Sequence, residues 1–194
     1  MLEIQNQLFE AQDVRLGPID HEAHPEIESK WTHDAEFMRL MELGPVRPLS
    51  PEMVRKQYEA LEKKMDENKN LFHFTIRTRQ DDRLIGKAVI ESIDWTNGNG
   101  FMHIGIGEAE LRRKGLGGQA MNLLLRYAFS EINLYRLTAV VPEYNEGAIR
   151  FFKKFGFVEE VRRRRALNRD GRIWDLLGFG LLNSEWREQV KGQR

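Results

Sequence analysis

A chain of 194 residues is long for one small domain and short for two, so the expectation is a single unit spanning 1–194 with a sizeable core. Thirty Lys and Arg cancel thirty Asp and Glu, which argues against a generic polyanion binder, and the absence of cysteine excludes disulfides, thiolate metal ligands and cysteine nucleophiles. The five histidines lack the His-x-x-x-His spacing of a helical metal site, so no metal is expected, and the acidic N-terminal stretch without a long apolar run reads as neither signal peptide nor membrane span. A cytoplasmic protein with no membrane or nucleic-acid partner, monomeric or homodimeric, is the expectation.

A polar leader over 1–13 precedes Val14-Arg15-Leu16, a short first strand closed by Gly17-Pro18 and followed by Asp20, which is placed to cap a helix. Residues 21–41 read as one or two irregular helices carrying Ile27, Trp31, Phe37, Met38 and Met41, interrupted at Gly44, Pro45 and Pro48. Ser50-Pro51-Glu52 is a helix start, with a capping hydroxyl, proline at the first helical position and an acid in the first turn. Met53, Tyr58, Leu61 and Met65 supply its apolar positions, and it should end near 68–70.

Strand-like runs follow at 71–77, 84–94 and 101–106, separated by Asp81-Asp82 and by Asn97-Gly98-Asn99-Gly100. Asn-Gly pairs tolerate positive φ, so these turns predict an antiparallel meander. The third run passes through a charged link into a basic, glycine-rich turn, Arg112-Arg113-Lys114-Gly115-Leu116-Gly117-Gly118, that opens a helix. The first N–H groups of a helix lack intrahelical partners and carry the positive end of its dipole, so such a turn suits a phosphate. Gly115, Gly117 and Gly118 let the backbone come close to it, and the three cations add formal charge.

In that helix, residues 116–130, Ala120, Met121, Leu124, Leu125 and Ala128 recur at helical spacing. A β-branched strand at 136–141 stops at Pro142, and the strand–helix–strand order predicts a right-handed crossover and a parallel pair. A helix over 145–155 with Ala148, Ile149, Phe152 and Phe155 inward, two strands at 157–167 and 172–181, and a polar tail at 187–194 complete the chain. The fold class is α/β, one largely antiparallel mixed sheet with one parallel pair and helices on both faces. In a regular strand the arginines at 162–165 would alternate between faces, as on a solvated edge that resists pairing; recognition of an acidic acceptor or of RNA is the other reading.

Arg112-x-x-Gly115-x-Gly117 and Asn145-x-x-Ala148-x-x-Phe152-x-x-x-Gly156-Phe157 together resemble two signatures of the GNAT acetyltransferase superfamily. Over roughly residues 14–186 the chain is most similar to the branch that acetylates ribosomal-protein N-termini and spermidine. The resemblance implies a GNAT-like fold whose fourth and fifth strands splay, here around Ile104 and Leu137, and acetyl-CoA as co-substrate. The diphosphate would be held by Arg112, Arg113, Lys114, Gly115, Gly117 and Gly118, and the pantetheine by Ile104, Ile106 and Asn145. It implies an oxyanion contact from a backbone N–H at 104–107, where Gly105 and Gly107 suit either an irregular strand or close packing beneath a bulky neighbour.

Two departures from the family pattern matter. Phe152 stands where many relatives carry a tyrosine that protonates the leaving thiolate, with Tyr144 nearby as a substitute, and Phe101 stands where relatives often carry a glutamate. His103, two residues on and hence on the same strand face, is the leading candidate base, because imidazole changes charge near neutral pH; Glu91, Asp94 and Glu108 are the others. The family binds its acceptor amine between the first two helices, which brings Trp31, His33, Glu36, Phe37 and Glu42 forward, with acids to attract an ammonium and aromatics to cover its stem. The expected activity is acetyl transfer from acetyl-CoA to a primary amine, a protein N-terminus or a small amine such as a polyamine. The alternatives are a non-catalytic acetyl-CoA-binding sensor and, because Gly115-Leu116-Gly117-Gly118-Gln119-Ala120 formally fits Gly-x-Gly-x-x-Ala, a dinucleotide-binding protein.

Overall fold

The runs set off by Asp82 and Asn97-Gly98 become an antiparallel meander because both turns contain residues at positive φ, Asp82 at 56° and Gly98 at 63°. In the computed structural model, which describes residues 7–192, the strands are β1 (Val14–Gly17), β2 (Phe72–Thr78), β3 (Leu84–Asp94), β4 (Asn99–Ile106), β5 (Arg136–Pro142), β6 (Val158–Arg169) and β7 (Arg172–Leu182). They form one sheet in the order β1-β2-β3-β4-β5-β7-β6, antiparallel at every step except β4–β5. An open Gly-x-Gly-x-x-Ala nucleotide fold needs alternating parallel units, so the meander overturns the dinucleotide alternative.

One face of the sheet is covered by α4 (Leu116–Arg126) and α5 (Glu146–Lys154). Ala120, Met121, Leu124 and Leu125 of α4 are sealed against Ile90, Met102, Leu137 and Phe179 of the strands. The stripe continues through Ala128, but the backbone widens into a π-helical turn at Tyr127–Glu131. The opposite face carries α1 (His24–Thr32), α2 (Ala35–Met41) and α3 (Pro51–Asn68). Gly105 and Gly107 of β4 and its exit are bare because Met41 and Trp31 lie directly on them, and a Cβ at either position would collide with those side chains. Of the two readings of these glycines, close packing is the one observed. Among the described residues no helix is long and apolar enough to cross a membrane.

Several local expectations need correction. Asp20 accepts the N–H groups of Glu22 and Ala23 at 2.9 Å, capping a turn rather than α1, whose N-cap is Ala23. In α3 the buried positions are Val54 and Tyr58, four apart, and Met53 faces solvent. The described part of the leader is docked, with the Phe9 ring 6.1 Å from Phe74 and 6.0 Å from Tyr127. The expected tail begins inside a helix, α6 (Asn183–Gly192); residues 1–6 and 193–194 lie outside the described residues.

The arginine run lies on the edge strand β6 as expected, but its strict alternation fails. The β6–β7 register shifts between Arg163 and Leu167, with Arg165 at φ 53°. Asp175 organises this bulge by accepting the Arg165 N–H at 2.8 Å and the Arg162 guanidinium at 3.0 Å.

Candidate active site

The site begins where two strands stop pairing. The parallel β4–β5 ladder holds Asn99 to Arg136, Gly100 to Leu137 and Phe101 to Thr138, and then ends. Beyond it Met102, His103 and Ile104 diverge from Val140 and Val141, leaving a gap of about 60 Å³ that Met41, Asn145 and Phe152 also line. The direction of the free amides follows from the other side of β4. Gly107 donates its N–H to Ile85 at 2.8 Å, and Ile106 is opposite Gly86. Antiparallel pairs alternate, so the odd-numbered amides of β4 serve β3 and the even-numbered ones face β5. With no ladder past Phe101–Thr138, the Ile104 and Ile106 N–H groups point into the gap.

At the far end of β4 the chain enters the basic turn. Gly115 takes φ 84°, a left-handed conformation that favours glycine, and begins α4 without a side-chain cap. The Leu116 and Gly117 N–H groups are therefore the free donors of this corner, while the Gly118 N–H turns back to the Gly115 carbonyl at 3.0 Å, and Arg113 and Lys114 beside them are exposed. Arg112 behaves differently from the expected phosphate ligand. Its guanidinium turns inward, donating to the carbonyls of Ile106 at 3.0 Å and Gly107 at 2.7 Å and to Asp34 at 3.0 Å, and it lies 4.7 Å from the Phe37 ring centre. Asp34 is also the N-cap of α2; the Phe37 N–H and then Arg112 hold its carboxyl below the usual range. Arg112 thus joins the end of β4 to the start of α2.

His103 and Glu91, separate candidates in the sequence, are one unit: His103 Nε2 lies 2.8 Å from Glu91 Oε1. The hydrogen bond from His103 is the largest influence holding the Glu91 carboxyl below its ordinary value. A carboxylate only accepts, so Nε2 carries the proton and Nδ1 is the basic nitrogen of the neutral ring. Glu108 is not available as a base. One oxygen accepts the Trp31 indole N–H at 2.9 Å and the other is bound by Arg83. Asp94, at the far end of β3, is spent on the N–H groups of Thr96 and Asn97.

Asn145 caps α5 by accepting the Ala148 N–H at 3.0 Å and donates to Leu40 at 3.2 Å, so it ties α5 to the end of α2 while lining the gap. The Tyr144 hydroxyl donates to the Arg39 carbonyl at 2.8 Å and accepts from Arg169, which leaves it no role at the gap. Phe152 is buried against Phe157 and Phe179 and presents no proton.

On the α1–α2 side lies a larger cavity of about 210 Å³. Trp31, Phe37 and Glu42 line it, as the sequence suggested, but Glu36 does not: it is exposed in the first turn of α2 and points elsewhere, as does exposed His33. Among the lining residues that were not foreseen, Glu28 and Lys87 are paired at 3.0 Å. The second Glu28 oxygen accepts the Tyr58 hydroxyl at 2.6 Å. Burial alone would raise the Glu28 carboxyl, but Lys87 and the two hydrogen bonds outweigh it and hold it low. Burial and the adjacent carboxylate push the Tyr58 phenol well above its ordinary value.

The acetyltransferase (GNAT) domain family matches residues 13–158, most of the chain. The chain belongs to the GNAT acetyltransferase family. The enzyme class that goes with this family is N-acetyltransferase. Among curated relatives, a Bacillus subtilis protein named probable N-acetyltransferase YjcK is 30% identical over 122 residues, 62% of this chain and 66% of that one. Bacillus subtilis YdaF, provisionally named a ribosomal N-acetyltransferase, is 30% identical over 106 residues, 55% of this chain and 57% of that one. The match therefore spans less than two thirds of either relative's length. A solved spermidine N-acetyltransferase from Vibrio cholerae, in complex with CoA and spermine, shares the fold with TM-score 0.76 and 21% identity over 90% of this chain and 98% of that one.

Within this GNAT fold the residues named from sequence separate into two groups. Ile104, His103 and Asn145 line the gap, with Glu91 behind His103, and Arg113, Lys114, Gly115, Gly117 and Gly118 lie past the end of β4 at the start of α4. Glu108, Glu36 and the Arg112 side chain fall away. Glu28 and Lys87 were missed because nothing in their local sequence marks them; one is on α1 and the other on β3, and only the crossing of the two elements pairs them.

Proposed function

We propose that this GNAT domain transfers an acetyl group from acetyl-CoA to a primary amine by direct attack in a ternary complex. The observation that carries the reading is the Ile104 N–H left unpaired where β4 parts from β5, next to the His103–Glu91 pair. The residues present suit the co-substrate. Free N–H groups at the start of α4, with Arg113 and Lys114, offer donors and charge to a diphosphate, and the gap is narrow enough for a pantetheine arm. The Ile104 N–H is then the donor to the oxygen that gains charge as the thioester is attacked.

The acceptor approaches from the α1–α2 cavity. Its neutral nitrogen forms a bond to the acetyl carbonyl carbon, the carbon–sulfur bond breaks, and the amine loses one proton to His103 Nδ1 directly or through a water. The leaving thiolate takes a proton from solvent; a thiol of pKa about 8.5 is a tolerable leaving group, which makes Phe152 compatible with turnover. Glu91 holds the imidazole in the required tautomer. Thiol release from acetyl-CoA, measured against a panel of amines, tests the reading. Absence of any affinity for CoA or acetyl-CoA in a thermal-shift titration would overturn it.

A further inference from the structure

The α1–α2 cavity has a charge pattern that bears on which amine enters. Its ionisable lining consists of two carboxylates, Glu28 and Glu42, and two cations, Arg47 and Lys87. A site built for a polycation would carry a surplus of acid; this one is balanced. Glu28 is already committed, to Lys87 through one oxygen and to the Tyr58 hydroxyl through the other. Glu42 is the one lining carboxylate left for an ammonium.

Lys87 is not used up by this pair. An ammonium has three N–H donors, and among the described residues Glu28 is the hydrogen-bond partner of one of them. A 24% share of its side chain remains accessible, in a cavity that it lines. Register fixes its relation to the gap. Lys87 is opposite Gly105 and His103 is opposite Val89, so the two side chains stand on the same face as diagonal neighbours, about 7–8 Å apart at the backbone. A group held by Lys87 is therefore a few bonds from an amine held at His103.

We propose that Lys87 is a specificity residue that donates to a carbonyl or carboxylate oxygen of the acceptor, so that the preferred acceptor is an α-amino carbonyl unit, as in a peptide N-terminus or an amino acid, and not a polyamine. The inference rests on the acetyltransferase reading above. Arg47, which has no ion-pair partner among the described residues, adds a second cation to the same cavity. A polyamine bound here would place a further ammonium near Lys87 with Glu42 as the single uncommitted carboxylate to offset two cations.

The test is thiol release from acetyl-CoA by the full chain with alanyl-alanine, alanine amide, alanine and spermidine. Wild type is expected to show kcat/KM at least 10-fold higher for the best α-amino carbonyl acceptor than for spermidine. Comparison of the amide and dipeptide with free alanine distinguishes a carbonyl from a carboxylate as the group held. Lys87→Met is expected to lower that value at least 10-fold, mainly through KM, without lowering the value for spermidine. Because Lys87→Met leaves Glu28 buried without its cation, the double variant Glu28→Gln/Lys87→Met, in which the Tyr58 hydrogen bond survives, is run beside it with acetyl-CoA affinity as the check on folding. Preference of the wild type for spermidine, or an unchanged preference in folded Lys87 variants, overturns the proposal. Release with no amine at all would instead sink the acetyltransferase reading.

Discussion

His103 Nε2 and Glu91 Oε1 meet at 2.8 Å across the β3–β4 ladder, from positions that are diagonal and not directly opposite. The acid therefore fixes the imidazole tautomer without itself reaching the gap. Removing the imidazole by His103→Ala is expected to lower kcat about 100-fold and to abolish the acidic limb of the pH–rate profile. Glu91→Gln keeps the shape and removes the charge; about a 10-fold loss in kcat with little change in the KM for acetyl-CoA is expected. Steady-state kinetics from pH 5.5 to 9 check both. An unchanged profile in His103→Ala would remove His103 as the base.

The three cations of the basic turn should divide by role. Arg112 holds two carbonyls and Asp34, and because the group is partly exposed and solvent-screened the set contributes about 1.5–3 kcal/mol together. Arg112→Met is accordingly expected to lower Tm by roughly 5–10 °C. Arg113 and Lys114 touch nothing comparable, so the double alanine variant should melt like wild type. That variant should instead bind CoA about 10-fold more weakly at low salt and show a flatter salt dependence. Calorimetric titration at two ionic strengths, beside a thermal melt, separates the two behaviours.

Acid should weaken the fold before its carboxylates titrate. His73, on β2 beneath α1, is buried with Nδ1 unpartnered, and burial, reinforced by Lys87, lowers it from the ordinary 6.5 to about 4. The unfolded chain takes up this proton first as pH falls. The stabilisation is therefore complete above about pH 6.5 and is lost between there and pH 4, by about 3 kcal/mol at most. His24, lowered mainly by its own burial, acts in the same direction. Urea unfolding at pH 7 and pH 4.5 should show the loss, and His73→Leu should reduce it while leaving stability at pH 7 intact. An equal loss in that variant would assign the acid sensitivity elsewhere.

Phe152 lines the gap among Phe157 and Phe179. Phe152→Tyr adds a hydroxyl at the edge of the sulfur's expected position and is expected to raise kcat by up to about 10-fold, most visibly at high pH where solvent protonation of the thiolate is slowest. Burst-phase and steady-state rates at pH 7 and 9 test this. A variant that folds, binds CoA and turns over no faster would mean that thiolate protonation does not limit the wild type.

Much of this protein was determined by sequence alone, because the decisive signals are local. Turn chemistry at Asn97-Gly98, the Ser50-Pro51 cap, the apolar stripe of α4 and the glycine-rich start of that helix each depend on neighbours within a few residues, and together they specify the meander, the parallel β4–β5 pair and the basic corner at the start of α4. The family likeness enters at the same turn. What only tertiary structure decided is which polar side chains are free. Arg112, Arg113 and Lys114 are equivalent as letters; the inward turn of the first appears only when the Ile106 and Gly107 carbonyls and Asp34 converge on it. Glu108 was lost as a base, Glu91 became the partner of His103, and Lys87 came to face the α1–α2 cavity through contacts between elements far apart in the chain. A charged side chain is committed by whatever opposite charge or hydrogen-bond partner lies within about 3 Å, and that distance is fixed by how helices cross the sheet, not by the residues on either side.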